Sequence, residues 1–128
     1  MTAPTTSYHL RPRSGWLNDP NGMARVDDVW HVFFQHNPDA PVHDRIAWGH
    51  ATSRDLAHWE LQPVAFSPSP GAPDAFGCWT GVFVPGHDRP AVVYSGIADD
   101  SRQSTICLRW GSADLRNWGA PILSLIHI

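Results

Sequence analysis

An all-β chain of about two β-propeller blades is the fold class this sequence predicts, and three observations carry that reading. No window of a dozen residues shows apolar side chains at i, i+3, i+4 and i+7, so no amphipathic helix is expected. Glycine and proline together number 22 of 128 residues, spaced so that they punctuate short runs of β-branched and aromatic residues. The segment Ser53-Arg54-Asp55-Leu56-Ala57-His58-Trp59 also returns as Ser112-Ala113-Asp114-Leu115-Arg116-Asn117-Trp118, an offset of 59 residues. Repeats of roughly 40 to 50 residues are typical of propeller blades, and longer loops stretch that period.

The elements follow in chain order. Trp16-Leu17-Asn18-Asp19-Pro20-Asn21-Gly22 reads first as a turn, because Pro20 fixes φ and Asn21-Gly22 accepts φ > 0. Strands are expected at Val29 to Gln35, Ala47 to Ser53 and His58 to Ala65, and then at Cys78 to Val84, Ala91 to Ser95 and Thr105 to Gly111. Asp27-Asp28, Pro85-Gly86-His87-Asp88 and Ala98-Asp99-Asp100-Ser101 carry hairpin-turn chemistry. The proline-rich Ser67 to Pro73 reads as the link between two blades. In the first strand alternation puts Trp30, Val32 and Phe34 on one face and His31, Phe33 and Gln35 on the other. The apolar end, Pro121 to Ile128, reads either as the start of a third blade or as a terminus foreign to the frame.

The heptapeptide supports a second, chemical reading beside the turn. Asp19 is a carboxylate held in rigid backbone and able to attack an anomeric carbon, Asn18 can bond sugar hydroxyls, and Trp16 offers a flat apolar wall. Gln35, at the end of its strand, can serve a sugar hydroxyl or pair with backbone; an isolated Gln does the latter by default.

Four segments resolve the choice by resemblance: Gly15 to Gly22, Phe33-Phe34-Gln35-His36-Asn37-Pro38, Trp48-Gly49-His50-Ala51-Thr52-Ser53-Arg54-Asp55-Leu56-Ala57-His58-Trp59, and Gly77-Cys78-Trp79-Thr80-Gly81. In type and order the chain resembles glycoside hydrolase family 32, the β-fructofuranosidases. That resemblance implies a five-bladed propeller followed by a β-sandwich, several times this length. The chain therefore reads as an N-terminal fragment, with a first blade at about 16–66, a second at about 76–121, and no sandwich. It also implies that Asp19 is the nucleophile. Trp16, Leu17, Asn18, Gln35, Trp48, Trp79 and Thr80 are implied as substrate contacts, Thr80 standing where the family more often has Ser.

Seven Trp fit a carbohydrate site, but most are expected to be core. Trp59 and Trp118 hold equivalent repeat positions and Trp30 lies in an alternating strand, so these three are assigned to the interior; Trp16, Trp48 and Trp79 are assigned to the pocket. The chain has nine Arg, no Lys, eleven Asp and one Glu, which excludes a Schiff-base lysine and a Walker-type phosphate loop. A retaining glycosidase needs two carboxyl groups about 5 to 5.5 Å apart. In the family the acid/base is a Glu in a Glu-Cys segment, and an Asp in Arg-Asp-Pro holds the fructosyl hydroxyls. Neither motif is present, and Glu60 reads as a solvated residue. Three functions compete: a β-fructofuranosidase acting on sucrose, sucrose phosphate or fructans, a fructosyltransferase of the same fold, and a non-catalytic carbohydrate-binding piece.

Other classes are disfavoured. His31, His36, His43 and His50 lie five, seven and seven apart, without a metal-ligand frame, so neither metal nor cofactor is expected. Cys78 and Cys107 fall on strands that are not neighbours and are expected as free thiols. A net charge of −3 with no basic cluster argues against nucleic acid. No run approaches the roughly 18 apolar residues of a membrane span. Met1 to Leu10 lacks the apolar core of a signal peptide, so a cytoplasmic location is expected.

Overall fold

The computed structural model describes residues 9–123, and no helix occurs among them. Eight strands form: β1 (Trp16–Val26), β2 (Val29–Asn37), β3 (Ala47–Ser53), β4 (Glu60–Phe66), β5 (Gly77–Phe83), β6 (Ala91–Ile97), β7 (Ser104–Trp110) and β8 (Ile122–Leu123). They make two four-stranded antiparallel meanders, β1-β2-β3-β4 and β5-β6-β7-β8. The stretch that would hold a signal peptide, apart from its last two residues, and residues 124–128 lie outside the described chain.

The heptapeptide Trp16 to Gly22 departs from the expected turn. It is not a turn between elements but the start of β1, which pairs with β2 through two irregularities, one between Asn18 and Pro20 and one between Asn21 and Ala24. The local signals for a turn are real; they are spent on bulges. Pro20 is tolerated because β1 pairs on one side only, so its missing N–H interrupts no second ladder. Gly22 sits at φ +53, and a Cβ there would meet the Trp48 and Phe33 rings at 3.0 and 3.1 Å, so the kink requires glycine. The turn proper follows at Asp27 and Asp28, φ 51 and 64, the two positive dihedrals of a tight hairpin whose twist matches that of its strands.

Both faces of β2 are covered. Phe33 lies in a core that joins the two sheets, with Ala24, Trp48 and Phe66 from the first and Cys78, Val92, Tyr94, Cys107 and Leu115 from the second. Val32, Phe34 and Ala51 form a second cluster on the opposite face, with Leu10, Trp59 and Leu61 against it. Trp59 and Trp118 thus pack on cores, as equivalent positions should. Trp30 does not: it is half-buried, with the Arg25 guanidinium 5.6 Å from its ring.

The repeated segment builds the same turn twice. Ser53 Oγ donates to Asp55 at 3.1 Å and Ser112 Oγ to Asp114 at 2.6 Å. Leu56 and Leu115 adopt left-handed φ of 67 and 62. The second turn leads into β8, which pairs Ile122 with Leu108 and Leu123 with Cys107. Ile122 and Leu123 therefore complete the second sheet rather than open a third. On the far side of that sheet Val82, Val93, Leu108 and Ile122 align in one cross-strand row, with Val82 60% and Ile122 51% exposed.

Candidate active site

The meander brings Asn18, Gln35 and Trp48 into one row across β1, β2 and β3, since Asn18 pairs with Gln35 and Gln35 with Trp48. Strand β5 crosses the end of that row and is tied to it by three consecutive residues. Gln35 Nε2 donates to the Cys78 carbonyl at 3.0 Å, and Trp48 Nε1 donates to the Trp79 carbonyl at 2.9 Å. Thr80 Oγ1 donates to Asp19 Oδ2 in a long contact of 3.5 Å. Residues 61 apart in sequence thus meet at one place on the junction between sheets.

Asp19 and Thr80 are both exposed. Around them stands an aromatic rim: the His43 ring lies edge-on to Trp16 at 6.1 Å and to Trp79 at 5.6 Å. Trp16 Nε1 donates to Asn18 Oδ1 at 2.6 Å, a bond that engages the amide oxygen and not the Nδ2 donors. The Trp16 carbonyl in turn accepts from His36 Nδ1 at 2.8 Å, so the first indole is held at both backbone and ring. An exposed carboxylate, a hydroxyl, an amide and two indoles make a surface suited to a polyhydroxylated ring, with apolar faces for C–H groups and polar tips for hydroxyls. Cavities of about 590 and 420 Å³ lie elsewhere, between the 52–62 and 113–116 segments and beside residues 12–14. Asp19 instead faces open surface.

Three expected contacts are placed differently. Trp48 is fully buried, stacked on Phe66 at 5.0 Å, so its ring belongs to the core and only its N–H reaches the site strand. The reason is register: pairing with Gln35 and Phe66 turns it toward the second sheet. Gln35, 1% exposed, supports the β5 backbone from beneath. Leu17 points away, lining a hollow with residues 10–15. Asn18, Asp19, Trp79 and Thr80 remain at the surface with Trp16.

Two features escape the sequence. His43 lies in an irregular loop with no motif of its own, and only its spatial place between two indoles marks it. Asp74, which follows the proline-rich Ser67 to Pro73 link and belongs to no expected strand, is fully buried. Its carboxylate accepts from Tyr94 Oη at 2.6 Å and Arg109 Nη2 at 2.7 Å. Burial alone would raise its pKa, but these hydrogen bonds outweigh it and hold the carboxyl below its ordinary value. Such a group is no proton donor. The thiols are free, and Cys78, the one against Asp74, is pushed well up by burial.

An all-β architecture of two blade-like sheets carrying a carboxylate and indoles at their junction defines a partial propeller with the surface chemistry of a sugar-handling protein. The chain belongs to glycosyl hydrolases family 32: the model of that family's N-terminal domain matches residues 9–124. It is 40% identical over 121 residues to an insoluble β-fructofuranosidase isoenzyme of Arabidopsis thaliana, covering 91% of this chain and 20% of that protein. It is 43% identical over 97 residues to a sucrose-6-phosphate hydrolase of Zymomonas mobilis, covering 73% and 19%. Among solved structures, fructan 1-exohydrolase IIa of Cichorium intybus superposes with a TM-score of 0.78 at 35% identity, over 94% of this chain and 23% of that one. The chain thus spans about a fifth of the length of these relatives.

Proposed function

We propose that this chain is the nucleophile-bearing part of a retaining glycosidase that cleaves terminal β-fructofuranosyl bonds. The observation that carries the reading is the exposed Asp19 carboxylate beside the Thr80 hydroxyl at 3.5 Å, within the Trp16 and Trp79 rim. Its support is membership of a family whose relatives named above are enzymes of fructosides.

In this reading an Asp19 oxygen attacks the anomeric carbon of the fructosyl unit. The bond to the leaving oxygen breaks as that oxygen takes a proton from an acid, and a fructosyl ester of Asp19 forms. Water then attacks the same carbon, gives its proton to the conjugate base, and frees the carboxylate. Glu60 is not the acid, for it pairs with Thr52, four residues along β3 from the Trp48 row. The reading assigns the acid, and the Arg-Asp-Pro aspartate, to the part of the protein that lies outside these 128 residues.

The test uses a full-length enzyme containing this segment. Asp19→Asn keeps shape and removes the attacking charge, so glucose release from sucrose should fall by roughly four orders of magnitude with an unchanged melt. Rapid quench of the unmutated enzyme should give a peptide carrying Asp19 heavier by one fructosyl unit. Substantial hydrolysis by the folded variant would overturn the assignment. Product analysis separates acceptors: free fructose equal to glucose marks water, a shortfall marks a sugar.

A further inference from the structure

The start of β5 is fixed by a buried polar hub, and the site strand hangs from it. Asp74, besides Tyr94 and Arg109, accepts from Cys78 Sγ at 3.3 Å and from the Ser69 N–H at 3.1 Å, while its main-chain carbonyl accepts from the Gly77 N–H at 3.1 Å. Arg109 is 4% exposed and uses its whole fork: Nε donates to Tyr94 Oη at 2.8 Å, Nη1 to the Gly119 carbonyl at 2.8 Å, and Nη2 to the Ser67 carbonyl at 3.2 Å and Ser69 Oγ at 3.1 Å. Its guanidinium carbon lies 4.5 Å from the Phe66 ring centre. The hub therefore touches the end of the first sheet, the link, and three elements of the second. A buried ion pair is weak evidence for stability, because desolvation offsets much of its attraction; what its directional bonds do supply is a single geometry.

That geometry is passed to the carboxylate by a short path. Asp74 holds Gly77 and Cys78, three and two residues before Thr80, and Thr80 is the β5 residue that touches Asp19. We propose that Asp74 is a positioning residue for the Asp19 site, acting along β5 through the Thr80 hydroxyl. The proposal rests on the fructosidase reading and extends it to a residue that never meets substrate. Shifts of about 1 Å in a reacting group's support cost up to roughly a hundredfold in rate, so a loosened β5 should be visible in turnover.

The experiment is a double-mutant comparison in a full-length enzyme containing this segment, reading kcat and KM for sucrose together with thermal melts. Asp74→Asn and, as the milder change, Tyr94→Phe are each made alone, with Thr80→Val, and with Thr80→Ser. We expect each single variant to lower kcat by about tenfold. The loss should shrink to under about twofold in the Thr80→Val background, where the path is already cut, and persist beside Thr80→Ser, which keeps the hydroxyl. A merely structural role lowers the melt and multiplies with Thr80→Val. If Asp74→Asn does not fold, the Tyr94→Phe set decides alone. Losses as large beside Thr80→Val as beside the native Thr80, or full activity in folded Asp74→Asn and Tyr94→Phe enzymes, overturn the positioning role. An unmutated enzyme that turns over neither sucrose, sucrose phosphate nor inulin overturns the functional reading, and the positioning role with it.

Discussion

The indole N–H of Trp48 donates to the main-chain carbonyl of Trp79 at 2.9 Å, joining the fully buried core of one sheet to the site strand of the next. A single side chain therefore serves packing and placement at once. Trp48→Phe should keep most of the buried area and lose the donor, leaving the Trp79 carbonyl with one partner fewer. The expected cost is about 1–3 kcal/mol from the unmet carbonyl and the lost ring volume, against about 3–5 kcal/mol for Trp48→Ala. Denaturant melts of the two variants, in a full-length enzyme containing this segment, check the order.

Acid should destabilise the fold through a histidine pair. His31 Nδ1 and His50 Nε2 lie 2.9 Å apart, the rings stack, and His50 also stacks on Phe33 at 4.4 Å. Burial first, then His31, then Arg116 lower the His50 pKa to about 3, with Asp114 opposing; burial and Arg116 lower that of His31 as well. The folded state thus binds fewer protons than the unfolded chain below the ordinary pKa of 6.5. Stability is fully present above 6.5 and falls as pH drops toward 3, by up to about 1.4 kcal/mol per pH unit from His50, with His31 adding in the same direction. Urea melts from pH 4 to 8 should show that slope, and a His50→Gln variant should flatten it. A slope unchanged in the variant would exclude the pair as its source.

The two copies of the repeated turn should respond oppositely to mutation. Leu115 is fully buried between the sheets, whereas Leu56 is 46% exposed. Leu115→Ala is expected to cost about 2–5 kcal/mol. Leu56→Gly relieves a left-handed conformation that disfavours a branched side chain by about 1–2 kcal/mol, and should leave stability unchanged or raised. Paired thermal melts check both.

Residues 1–128 produced alone should self-associate and lack turnover. The row Val82, Val93, Leu108 and Ile122 crosses all four strands of the second sheet on its uncovered face, and apolar exposure of that kind favours aggregation. Light scattering at micromolar concentration should show large species, reduced by Val82→Lys with Leu108→Lys. A monodisperse segment hydrolysing sucrose at an intact enzyme's rate would overturn both parts.

Most of the sheet was legible because strand signals are local. Six of the eight strands follow from alternation and from β-branched and aromatic runs, with ends displaced by a residue or two. The first strand was hidden for an equally local reason: Pro20, Asn21 and Gly22 carry turn chemistry that the fold uses for bulges within β1, and only pairing with β2 reveals the difference. The last strand, Ile122–Leu123, is too short to announce itself and exists because β7 offers an open edge.

By itself the sequence determined the all-β class, the repeated turn, the free thiols' separate strands, and the motifs that name the family and nominate Asp19. These are properties of neighbours in the chain, set by propensity, alternation and turn chemistry. What only the tertiary structure decided is who stands at the surface. Trp48 and Gln35 carry the same motif signal as Trp16 and Trp79, yet register turns them inward to hold β5. Asp74 has no motif at all and becomes the buried hub. Burial and partnership depend on which face of which sheet meets another, a relation between residues tens of positions apart that no local pattern encodes.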